Sequence, residues 1–231
     1  MSSPDVRSFT VGAVQENCHI VRADAQATHA VIVDPGDEAD RLLAAADGLG
    51  VEIDAILLTH CHFDHIGAVA PVARATGAPV YCPKIELPLL TDVMRWVPPG
   101  FGPFESWQPE HELQGGERLA LAGMDIDVLF TPGHSPGHLT YAVGGALLSG
   151  DVLFEGSVGR VDLPGGDWAT LEASIERLLR EFPPETVVYP GHMGVTTLGR
   201  ERDTNPFLSE LRLRLPSEAL AGTARRPPAG S

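Results

Sequence analysis

The chain has 231 residues, 43% of them hydrophobic and 20% charged, the balance of a globular protein able to bury a sizeable core. Its formal net charge is −15, from 16 basic and 31 acidic residues, which argues against nucleic acid as a partner, since phosphate backbones are held by basic patches. Length predicts one domain over residues 1–215, and the Pro-, Ala- and Gly-rich stretch 216–231 reads as a disordered tail.

In chain order, the first 17 residues hold no apolar run of signal-peptide length. Residues 18–22 and 30–34 read as strands, with Pro35-Gly36 as a turn after the second. Residues 38–49 have amphipathic helical spacing, with Leu42, Leu43 and Ala46 on one side. A buried-type strand at 54–58 runs into THCHFDHIG (59–67), and a helix at 68–76 stops at Gly77 before a short strand at 79–82. Further strands are expected at 126–130, 139–143, 146–149 and 186–189, and helices at 168–182 and 200–213. Strands come first in pairs and then with helices between them, so mixed sheets are expected.

Residues 130–150 are uncharged, but Pro132, Pro136, His134, His138 and several glycines break any membrane-spanning helix. Three cysteines, Cys18, Cys61 and Cys82, make no disulfide framework and indicate a reducing compartment. A cytoplasmic protein without a membrane partner is therefore expected. The segment 94–112 places Trp96, Phe101, Phe104 and Trp107 among prolines and glycines. Long loops of that kind serve as lids or binding loops; a loop packed on its own aromatics, or a homodimer contact, are the other readings.

His60, His62 and His65 are three of the chain's nine histidines, and Asp64 lies among them. In an extended segment alternate side chains face the same way, so His60 and His62 can bind one ion together. Asp64 and His65 come at the turn into the next helix and can serve a neighbouring position. Imidazole and carboxylate are ligands of zinc, iron and manganese. Three more candidates each follow a predicted strand: His134 in TPGHSPGH, Asp151 in LLSGDVLF and His192 in VVYPGH. Loops held by a sheet are where sites are built. Cys61 should face away from its histidine neighbours, and His19, His29, His111 and His138 have no such context.

The order T-H-x-H-x-D-H-x-x-G, TPGH, GD and PGH resembles the metallo-β-lactamase superfamily of hydrolases, and within it the short glyoxalase II-like (hydroxyacylglutathione hydrolase-like) branch. VIVDPG (31–36) and GDVLFEGSVGRVDLPGGD (150–167) support the likeness, which spans roughly residues 9–210. The resemblance implies an α/β fold, a four-layer αββα metallo-β-lactamase-like sandwich with two mixed sheets. It implies one metal on His60, His62, His134 and Asp151 and a second on Asp64, His65, His192 and Asp151, with Asp151 bridging. Two divalent ions are implied, zinc first, with iron or manganese as alternatives. Zinc lowers the pKa of a bound water to about 7. A bridging hydroxide, oriented by Asp64, would then attack a thioester such as S-lactoylglutathione or an analogue on another thiol.

Two departures bear on substrate. Longer glyoxalase II enzymes carry a helical C-terminal region that helps bind glutathione, whereas 39 residues follow His192 here (231 − 192). Arg160 stands where those enzymes have a basic residue near the substrate, which makes it a candidate carboxylate-binding group. An ion pair with Asp162 or Asp167 is its alternative. The rival activities are a persulfide dioxygenase with a single iron and a lactonase or esterase. A β-lactamase is disfavoured by an aspartate at the bridging position.

Overall fold

Two six-stranded sheets lie face to face in the computed structural model, which describes residues 3–214. The tail expected at 216–231 lies outside the described residues. The first sheet runs in sequence order: β1 (Asp5–Val11), β2 (Glu16–Arg22), β3 (His29–Val33), β4 (Glu52–Leu57), β5 (Val80–Pro83) and β6 (His111–Leu113). β1 to β3 are antiparallel, and β3 to β6 are parallel. Parallel neighbours need crossovers. α1 (Ala39–Leu49) makes the first of them, α2 (Phe63–Ile66) and α3 (Val69–Thr76) the second, and α4 (Leu87–Thr91) begins the third.

The second sheet holds β7 (Arg118–Leu121), β8 (Met124–Phe130), β9 (Leu139–Val143) and β10 (Ala146–Gly150) as an antiparallel meander. A small hairpin, β11 (Leu153–Phe154) and β12 (Ser157–Val158), follows. Then α5 (Trp168–Glu181) crosses over so that β13 (Val187–Pro190) lies parallel to β10, with β14 (Thr196–Thr197) at the edge. α6 (Leu198–Thr204) and α7 (Ser209–Arg214) end the described chain.

Strand alternation sorts the core into three apolar layers. Ile20, Ile32 and Ile56 face Leu42 of α1 and Val69 and Val72 of α3. Their neighbours Val31, Val33, Ala55 and Leu57 face the other sheet, against Ile126, Val128, Tyr141 and Leu148. Leu147 and Val188 pack outward on Leu171, Ile175 and Leu178 of α5. The result is the four-layer αββα arrangement with two mixed sheets.

α3 ends where glycine was read as the stop, at Gly77, and α1 ends in the same way at Gly50, both glycines having positive φ. One expected helix is corrected: 200–213 is not continuous. Pro206 lacks an N–H and holds Asn205 extended, and the Asn205 side chain accepts a hydrogen bond from Phe207 N–H at 3.0 Å. The uncharged stretch 130–150 forms β9 and β10, and among the described residues no helix is long and apolar enough to cross a membrane.

Candidate metal centre

All seven candidate ligands stand just past the ends of strands. β4 leads through Leu58 to His60 and His62 and into α2, which carries Asp64 and His65. β8, β10 and β13 run in the same direction, so His134, Asp151 and His192 leave the second sheet at one edge. The two sheets are stitched together at this point: Tyr141 O–H donates to Leu58 O (2.7 Å) and Leu139 N–H to Thr59 O (2.8 Å).

The side chains converge as two groups. His60, His62 and His134 direct ring nitrogens at one point, with His62 Nδ1 at 3.1 Å from His60 Nε2 and 2.9 Å from His134 Nε2. Asp64, His65 and His192 form the second, with Asp64 Oδ2 at 3.3 Å from His192 Nε2 and 3.9 Å from His65 Nε2. Asp151 stands between them. Its Oδ1 is 3.4 Å from His65 Nε2, and its Oδ2 is 3.5 Å from His134 Nε2 and 3.6 Å from His192 Nε2.

The outward faces of these rings decide their tautomers. His134 Nδ1 donates to Arg160 O (2.8 Å), His192 Nδ1 to Gln15 O (3.2 Å) and His65 Nδ1 to the Asp34 carboxylate (3.0 Å). Thr59 O–H donates to Asp34, so the Thr59 oxygen takes the proton of His60 Nδ1 (3.1 Å). Four rings therefore present a bare Nε2 inward. Bare nitrogens facing one another repel unless a cation sits between them, and the buried His65 Nε2 and Asp151 Oδ1 have no hydrogen-bond partner. Imidazole with carboxylate in this arrangement fits divalent zinc, iron or manganese.

The electrostatics agree. Burial and the neighbouring His134 push His62 down to about 4, so it is neutral at pH 7. Burial opposes charge on His65 and Asp151 alike, yet the Asp151 carboxylate raises His65 well above its ordinary range and His65 lowers Asp151 below its own. The carboxylates call for positive charge beside His65 Nε2, which a cation supplies in place of a ring proton. Burial also works against the Asp64 carboxylate, but His65 keeps it below its usual value.

Asp34, Thr59, Glu16 and His138 were given no role on sequence. Asp34 is the centre of an outer ring, accepting from Thr59 N–H (2.7 Å), Thr59 O–H and His65. Carboxylates behind metal-binding histidines orient them. A signal was present, since Asp34 directly follows the apolar run Val31–Val33 in VIVDPG. Glu16 is fully buried 3.7 Å from His65 Nδ1, and burial raises its carboxyl well above the usual range. His138 is buried against His60.

Cys61 turns away from the centre, its Sγ 3.6 Å from that of Cys82. The Arg160 guanidinium is exposed and grips Asp162 at 2.6 Å through two nitrogens, while its backbone oxygen serves His134. The aromatic loop folds inward: Phe101 and Phe104 lie 4.8 and 6.3 Å from Phe63, and the three rings line a narrow cavity with Val11, Val14 and Asp64.

The model of the Metallo-beta-lactamase superfamily matches residues 11–192. The chain is 33% identical over 210 residues to a hydroxyacylglutathione hydrolase, GloC, of Haemophilus influenzae, covering 89% of this chain and 98% of that protein. Among solved structures it is similar to the BLEG-1 B3 metallo-beta-lactamase (38% identity, TM-score 0.83, 89% of this chain and all of that one). It is also similar to TTHA1623 in a di-iron-bound form (45% identity, TM-score 0.77, 87% of this chain and all of that one).

Proposed function

The chain belongs to the metallo-beta-lactamase superfamily, and on that premise we propose that it hydrolyses thioesters of small thiols, S-lactoylglutathione or an analogue, with two divalent metal ions. The observation that carries this reading is the pair of three-residue groups joined by Asp151. His60, His62, His134 and Asp151 hold one ion; Asp64, His65, His192 and Asp151 hold the other. Zinc is the first choice. The ions supply Lewis acidity, polarising a carbonyl and activating water at neutral pH.

The chain's own residues do the rest. Asp64, ionised despite its burial, accepts a hydrogen bond from the attacking water and orients it. Phe63, Phe101 and Phe104 wall that side of the centre and keep bulk water off the reacting carbonyl. The similarity to a hydroxyacylglutathione hydrolase supports the thioester. Arg160 binds a substrate carboxylate in this reading by exchanging Asp162 for it; an Arg160→Ala variant with unchanged KM would leave only the ion pair.

The test is hydrolysis of S-lactoylglutathione by the zinc-loaded protein, with His60→Ala as the blank. Turnover abolished by the variant supports the reading, and turnover equal in both proteins overturns it. A second reading is a persulfide dioxygenase with a single iron; the iron bound, as a pair, by a 45% identical protein bears on the choice of metal. Oxygen uptake by the iron-loaded protein with a glutathione persulfide separates the two. Lactones and β-lactams complete the substrate panel, the latter because of the similarity to a B3 metallo-beta-lactamase.

A further inference from the structure

His138 is fully buried one turn of chain beyond His134, and it directs nothing into the metal centre. Its Nε2 accepts a hydrogen bond from the backbone N–H of Asp151 at 3.0 Å. That amide is there to be taken because β10 ends irregularly. The register with β13 shifts between Leu148 and Gly150, and Gly150 has φ +47, so Asp151 leaves the ladder with its N–H turned inward. A backbone N–H can only donate, so Nε2 is the bare nitrogen and the ring proton lies on Nδ1. Nδ1 then donates to Thr131 Oγ1 (3.3 Å), whose own proton passes to Thr140 Oγ1 (2.9 Å). The ring also stacks on His60, with centroids 4.9 Å apart and planes at 26°. It meets His134 edge-on at 6.1 Å. A Cβ on Gly150 would stand 2.8 Å from Nε2, so glycine is what lets the ring reach the amide.

We propose that His138 is a positioning residue for the metal centre: it holds the Asp151 backbone so that both carboxylate oxygens face the two histidine groups, and it backs the His60 ring. The inference rests on the metal-centre reading above. Because Nε2 is spent on the amide, His138 is not an eighth ligand.

The test compares His138→Phe, which keeps a stacking ring but no acceptor, with His138→Gln, which keeps an acceptor. Zinc affinities are read by competition with a chromophoric chelator, and the cobalt-substituted proteins by their visible absorption. The expected result is weakening of zinc on the order of 10- to 100-fold in His138→Phe, with altered cobalt bands, and affinity within about threefold of the parent in His138→Gln. Should His138→Phe fail to fold, Thr131→Val removes the partner of Nδ1, and a smaller loss of zinc affinity is expected there. Parent-like affinities and spectra in both His138 variants overturn the proposal, as does an equal loss in both. A parent protein that takes up no zinc overturns instead the metal-centre reading beneath it.

Discussion

His19 shows how one buried ring becomes a dependence on pH. Its Nε2 donates to Pro190 O at 3.2 Å, so Nδ1 accepts from the Ser8 hydroxyl at 2.9 Å, and the neutral ring ties β2 to β13. Burial, opposed by the Pro190 carbonyl, lowers it to about 4. The unfolded chain binds a proton near pH 6.5 that the folded chain refuses until about pH 4. Stability therefore falls as pH drops through that window, by about 3 kcal/mol in all from this group, and is flat below it. In denaturant titrations His19→Gln should lose that part of the slope; identical slopes for parent and variant would contradict the assignment. Asp34 bears on the centre itself. Asp34→Ala unties Thr59, His60 and His65 together, and zinc affinity is expected to fall on the order of 10- to 100-fold by chelator competition.

The candidate ligands were legible as a set: a lone histidine or an aspartate at a turn has ordinary structural uses, but HxHxDH with three more such residues at strand ends is poorly explained by coincidence. The residues behind them were not, because a buried carboxylate such as Asp34 or Glu16 becomes meaningful only through partners distant in sequence.

At the scale of elements, α2 is one turn long and owes its place to what it packs against. Gly36 lies so close that a Cβ there would stand 1.7 Å from Asp64 O, and a Cβ on Gly67 would meet Phe104 at 2.7 Å. The first obstacle is backbone, so it cannot step aside. Gly36→Ala should cost about 1–3 kcal/mol by denaturant unfolding and displace Asp64, lowering zinc uptake as well. A variant with parent stability and full zinc uptake would show that the approach is looser than described.

Periodicity found the elements that bury a clear face: β2, β3, β8, β9, β10, α1, α3 and α5 come within two residues of their expected bounds. It missed β1, β6, β7 and β14, which are short or half exposed at sheet edges. It also ran the last helix through Asn205-Pro206, although a proline there was itself the warning. The aromatic loop was visible only as composition. That it turns Phe101 and Phe104 onto Phe63 beside Asp64 depends on the glycine at 67, which no pattern in the loop announces.

For the molecule as a whole, the acidic balance and the metal centre are linked. A chain of net charge −15 that gathers the carboxylates of Asp64, Asp151 and Asp34 around one set of histidines gains from cations there. Removing the ions should therefore destabilise the fold, not merely silence it. Thermal unfolding is expected at a lower temperature after exhaustive chelation and to recover on return of zinc, since ligands that bind only the folded state raise its stability. An unchanged Tm after verified metal loss would contradict that linkage.

The central claim is two ions on seven side chains with Asp151 shared. It is tested most directly by counting zinc bound per chain at equilibrium in the parent and in Asp151→Ala. Two ions in the parent, with the paired occupancy lost in the variant, is the predicted result. One ion or none in the parent, or two still held tightly without Asp151, would contradict it.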